Sequence, residues 1–327
     1  MHGHVGLSAL ERLEKVMVEN GVALVVNLSG GDAENAWMSN EVAKAFPRLV
    51  PFFNVDWTRR LVSGFGAQTA KDLEQAVKTF GFKGLKVQKS LGLTLLDPAG
   101  ARIPVDWPEL DPLWAKAGEL GVPVAIHTAD PKAFWSAPNA DNERFDELSV
   151  HPEWSFFGPE WPPREQLLDE LERVIAKHPK TTFISVHFGN DAEDLGYVDR
   201  LLDRHPNLMI DTAARLGEIG RHPAGEVRAF FVKHRKRIVF GTDLGLTKRM
   251  IMLGSVGREN PKMADVKPFF DAHWRFFEGR EKGIAHPTPI QGRWTIDAID
   301  LPDDVLEDLY FRNALRVLKL DESALRR

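Results

Sequence analysis

Short apolar runs recur along this chain, separated by amphipathic stretches, and that alternation is the strongest constraint on its fold. The runs read VALVVNLS from Val22, LVPFFNVDW from Leu49, KGLKVQ from Lys83, VPVAIHT from Val122, TTFISVHF from Thr181, NLMIDTA from Asn207 and RIVFGTD from Arg237. Near-continuous hydrophobicity is what a strand needs when both its faces are buried, as in a parallel sheet covered by helices. The stretches between them have helical spacing. Leu10, Leu13 and Met17 share a face, Ser8 with Glu11 reads as a capping box, and Gly21 suits the helix exit. Further helices are expected from Leu110 to Leu120, Leu167 to Ile175 and Val305 to Leu318. With the opening HGHV as another strand, eight strand–helix units follow in order, which predicts an α/β fold of the (β/α)8 barrel type, one domain over residues 1–327.

Polar residues stand at or near the C-terminal ends of these runs: Asn27, Asn54, Asp56, Lys86, His127, His187, Asp211 and Asp243. Strand ends from all round a barrel converge on that face, so these residues are expected to share one site. Two connections are long, Ala129 to Pro163 after strand five and Leu244 to Leu301 after strand eight. Both would overhang the same mouth, where long loops act as lids.

Composition narrows the chemistry. A net charge of -5 gives no basic field for a polyanion, so nucleic acid is not expected as a partner. The chain has no cysteine, so a metal would have to sit on His, Asp, Glu or a modified Lys. No apolar run approaches the roughly 20 residues of a membrane helix and no signal segment opens the chain, so a cytoplasmic location without membrane contact is the default expectation. The outer helices of a barrel are compatible with a homo-oligomer.

The histidines give the strand ends a chemical meaning. Residues two apart on a strand point the same way, so His2 and His4 can form a chelating pair. HGH on strand one, AIHT on strand five, SVHF on strand six and FGTD on strand eight together bring four imidazoles and a carboxylate to one mouth. That donor set suits zinc.

These residues, with GVPVAIHTADP, NERFDEL, HPKTTFISVHFG, RHPNLMIDTAAR, RIVFGTDLG and LPDDVLEDLYFRNALRVL in order, resemble the amidohydrolase superfamily, in the branch that includes aminocarboxymuconate-semialdehyde decarboxylase. The resemblance implies that His2, His4, His127 and Asp243 hold one divalent metal, zinc being the expected ion. It places His187 beside the metal as acid or base. Asp243 would both ligate and shuttle a proton. Such an ion lowers the pKa of bound water toward about 7. Lys86 has two readings: an anchor for a substrate carboxylate, which is preferred, or the carbamylated lysine of two-metal members, which would make the site binuclear. Arg144 and Arg215 are candidate forks for an anionic substrate, and Arg144 could instead clasp its loop through a carboxylate.

Three functions follow. The first is a metal-dependent hydrolase acting on an amide, lactone or related bond of a small anionic molecule. The second is a metal-dependent non-oxidative decarboxylase, and the third a barrel that binds without turnover. Only Met1 precedes His2, so either the natural chain starts further upstream or strand one is a stub that begins at its own ligands. A stub predicts unpaired edge groups low on strands two and eight, and weaker metal retention.

Overall fold

The computed structural model describes residues 1–326, and its parallel strands follow one another in chain order. Strand one, His2–Val5, pairs with strand two, Val25–Asn27, which pairs with Leu49–Pro51. Beyond Phe52 that third stretch resumes as Phe53–Asn54 and pairs with strand four, Leu85–Val87. Strands five to seven are Val124–Ile126, Phe183–Ser185 and Leu208–Asp211, and Ile238–Val239 completes the series. Past Phe240 this eighth stretch continues as Gly241–Leu246, whose parallel pairing with strand one closes the ring. The expected barrel is present.

Period-two alternation sorts the side chains. Leu28, Val50, Phe52, Ala125, Ile184, Val186, Met209 and Val239 pack inside the ring, while Leu49, Leu85, Val124, Phe183 and Ile210 face the surrounding helices in the main core. His127 continues the inward row of Ala125 on strand five, and Asp211 that of Met209 on strand seven. Helices Leu10–Glu19, Phe65–Phe80, Asp111–Leu120, Arg164–Lys177 and Leu195–Arg204 lie between successive strands, each burying an apolar stripe. Among the described residues no helix is long and apolar enough to cross a membrane.

Two local expectations are corrected. The capping box does not form: Ser8 lies within a 3-10 turn, Leu7–Ala9, and the following helix has no side-chain cap. The tight turn leads directly into the helix, which leaves Ser8 no place as its N-cap. Strand eight is not left bare low in the barrel either. The Phe240 amide donates to the Leu309 carbonyl at 3.0 Å, and Asn313 Nδ2 donates to the Ile238 carbonyl at 2.8 Å. Leu309 lies in a π-helical stretch, Asp308–Arg312, whose widened turn interrupts the ordinary helical hydrogen-bond pattern and frees a carbonyl for the strand. On the other side the Met1 amine donates to the Leu24 carbonyl at 3.0 Å. Burial pushes that amine down to a pKa of about 5.

Both long connections are structured. The first carries short helical turns at Lys132–Trp135, Phe145–Leu148 and Pro152–Trp154. Its rings pack on one another: Phe134 stacks on Trp154, and Phe156 lies between Trp135 and Trp161. The second opens with Ile251–Leu253 returning antiparallel to strand eight and then forms the helix Met263–Glu278.

Candidate metal centre

Strands one and eight place three ligand-type side chains together. His2 Nε2 lies 3.5 Å and His4 Nε2 3.4 Å from Asp243 Oδ1, beyond hydrogen-bond geometry but converging on one point. Two glycines permit the approach. A Cβ on Gly3, between the histidines, would stand 3.0 Å from the Leu244 carbonyl oxygen, and one on Gly241 would meet His2 Cβ at 2.9 Å. The far nitrogens are held from behind: His2 Nδ1 contacts Asp211 Oδ2 at 2.6 Å and His4 Nδ1 contacts Ser29 Oγ at 2.7 Å. Partners of this kind fix the tautomer and ring direction of a metal-binding histidine.

His187 reaches the same place by a different route. Ile184 and Val186 point into the ring, so simple alternation would turn His187 outward. Instead His187, Phe188, Gly189 and Asn190 have φ of 56°, 56°, 74° and 60°, a left-handed turn that redirects the chain. Left-handed backbone costs about 1–2 kcal/mol for a residue with a side chain, and such strain concentrates at functional sites. The turn brings the His187 ring centre to 4.4 Å from that of His127 and 5.7 Å from that of His2. His187 Nδ1 faces the Ala213 carbonyl at 2.9 Å, which fixes the proton on Nδ1 and leaves Nε2 as an acceptor. His127 stands outside the convergent trio, with its Nε2 3.2 Å from Asp130 Oδ1.

Beside these imidazoles lies a cavity of about 140 Å³ lined by Asp243, Lys89, Asp130 and Arg215, with Phe134, Trp154 and Met252 among its apolar walls. Asp130 pairs with Lys89 and lies 3.8 Å from Arg215 Nη2. Arg144 also lines the cavity, and its buried guanidinium is paired with Glu147, at 2.7 Å, and with Glu218, the loop clasp that stands as the alternative to a substrate fork. It clasps the long loop to the segment after strand seven. Lys86 is buried on its strand, and the lysine that lines the cavity is Lys89, in the connection just past the strand end.

The sequence profile of the Amidohydrolase family matches residues 8–320. The chain belongs to the amidohydrolase family. Among proteins with curated functions, none matches this sequence. Solved structures share the fold of this amidohydrolase at low identity. A 2,6-dihydroxybenzoate decarboxylase from Rhizobium is 17% identical with a TM-score of 0.53, covering 94% of this chain and 87% of its own. A dihydroxybenzoic acid decarboxylase from Polaromonas sp. JS666, solved with manganese and 2-nitroresorcinol, is 16% identical with a TM-score of 0.54, over 97% and 88% of the two chains. The 4-oxalomesaconate hydratase of Rhodopseudomonas palustris is 15% identical with a TM-score of 0.51, over 97% and 83%.

Enzymes of this superfamily bind a divalent metal, and the residues present in this amidohydrolase fit one. His2 Nε2 and Asp243 Oδ1 are buried with no hydrogen-bond partner, a costly arrangement that a cation between them would satisfy. The protonation states agree. Burial lowers His4 and His127 each to a pKa of about 4 and His187 well below its ordinary value, so all three are neutral at pH 7. Burial raises Asp243, but His2, His4 and Lys86 outweigh it and hold the carboxyl below the ordinary carboxylate value. Asp130 balances in the same way: burial pushes it up, and Lys89, His127 and Arg215 bring it well down. Lys86 is lowered to about 8 by burial against the pull of Asp211 and Asp243.

Sequence reasoning placed Asp211 at a strand end without giving it a task, although its parity with Met209 already aimed it inward. Ser29, Lys89, Asp130 and Asn190 were missed. They lie in connections beyond the strands, where no period marks a direction.

Proposed function

We propose that this amidohydrolase is a metal-dependent hydrolase acting on an amide, lactone or related bond of a small anionic substrate. His2, His4 and Asp243 would hold the ion, with His127 able to join them by leaving Asp130. Zinc suits this nitrogen-rich set. The ion would supply Lewis acidity where negative charge develops on the substrate. The observation that carries the reading is the neutral His187, with Nε2 open as an acceptor beside the two orphaned atoms of His2 and Asp243. A neutral imidazole can take the proton of an attacking water and return it to the leaving group. Arg215 and Lys89 would balance the charge of an anionic substrate, while Phe134, Trp154 and Met252 exclude water around it.

A second reading is non-oxidative decarboxylation. The same cavity pairs cationic side chains with apolar, ring-bearing walls, which suits an aryl or unsaturated carboxylate, and two of the similar folds are named as decarboxylases of hydroxylated benzoates. Turnover of amide, lactone and carboxylate panels in 18O-labelled water separates the two. Label in the product with His187-dependent rates supports hydrolysis. Carbon dioxide release with no label in the organic product supports the lyase, and no metal-dependent turnover of any panel member would leave a barrel that binds only.

A further inference from the structure

We infer that Asn190 is a positioning residue that keeps His187 in the barrel mouth by pinning the left-handed turn to the loop behind His127. Its Oδ1 accepts from the Thr128 amide at 2.9 Å and the Ala129 amide at 3.2 Å, and its Nδ2 donates to Ser185 Oγ at 2.6 Å. Its carbonyl accepts from Arg164 Nη2 at 2.7 Å, and Arg164 Nε donates to the Asp130 carbonyl at 2.8 Å. The two residues that follow His127 are thus tied to the end of the turn that carries His187. Thr128, Arg164, Ser185 and Asn190 are all buried, so water cannot replace a bond that is broken there.

Position 190 is constrained twice. Its φ of 60° suits Gly, Asn or Asp. Of these, asparagine alone supplies an acceptor for two amides and a donor for a hydroxyl at once. The clamp joins the two strand ends whose imidazole centres stand 4.4 Å apart, so a change in it moves one ring against the other.

The inference rests on reading His127 and His187 as site residues, and the test keeps the two claims apart. Histidine-15N NMR of the metal-free protein reports ring tautomers and conformers, and absorbance titration with Co2+ reports the metal centre. Asn190→Gly keeps the left-handed backbone and removes the clamp. Asn190→Asp keeps the acceptor, toward which the Ser185 hydroxyl can turn. Asn190→Gly is expected to shift or split the His127 and His187 ring signals and to weaken Co2+ binding about 10-fold or more, while Asn190→Asp restores both. Ser185→Ala, which removes a single bond, is expected to shift the same signals less and serves where Asn190→Gly does not fold. Wild-type histidine signals in Asn190→Gly, or in Ser185→Ala in its place, would overturn the inference even with a lower Tm. A wild-type protein that takes no Co2+ would refute the metal reading, and the histidine signals would still decide the role of Asn190.

Discussion

His2 Nε2 and Asp243 Oδ1 face each other across 3.5 Å, both buried and neither with a hydrogen-bond partner. One belongs to the first strand of the ring and the other to the last, so these two unsatisfied polar atoms meet at the seam where strand one pairs with strand eight. An added divalent ion should therefore stabilise the fold, by about 2.7 kcal/mol at a free concentration 100 times its Kd. The rise in Tm with zinc or manganese, and its absence in the His2→Ala, His4→Ala double variant, measures this. Equal melting of both proteins with and without metal would show that the trio binds none.

Asp211 should matter as much for orientation as for charge. One carboxylate oxygen holds His2 Nδ1 at 2.6 Å, and the other accepts from the His187 amide at 2.8 Å. Asp211→Asn is expected to lower metal affinity about 10- to 100-fold. Competition titration against a chelator reads the change, and an unaltered affinity would remove Asp211 from the support of the site.

Arg144 is expected to act on stability before substrate affinity. Arg144→Met would leave Glu147 and Glu218 buried without their cation, a loss of about 3–5 kcal/mol for breaking a buried pair. Adding Glu147→Gln and Glu218→Gln should recover most of it. Denaturant melts of the single and triple variants make the comparison. A single variant that melts like wild type yet binds substrate poorly would restore the reading of Arg144 as a substrate fork.

A buried histidine outside the metal cluster gives a pH prediction. Burial lowers His273 from 6.5 to about 4, with Phe240, Phe269 and Phe270 packed around its ring. Between those values the unfolded chain binds a proton that the folded chain does not. The contribution is therefore complete above pH 6.5 and lost as pH falls toward 4, about 3 kcal/mol in all. His273→Phe should flatten the stability curve over that window by about this amount. Urea midpoints at pH 4.5 and 7 test it, and parallel curves for the two proteins would contradict it.

The alternation of apolar runs by itself determined the ring of strands and their order, because a strand buried on both faces needs a continuous apolar stretch wherever it lies. It also determined that His2 and His4 share a side and that His127 and Asp211 point inward, since each follows the two-residue period of its own strand, whereas Asp243 reaches His2 and His4 through a left-handed residue (φ 60°) where the pairing of strands one and eight is irregular. Tertiary structure decided the rest. His187 faces the site against that period because a left-handed turn, tied down by Asn190, reverses its direction. Arg144 is spent on Glu147 and Glu218, Lys89 rather than Lys86 lines the cavity, and the C-terminal helix covers the low end of strand eight. These outcomes depend on partners distant in the chain that meet only once the barrel has closed, and a local period carries no information about them.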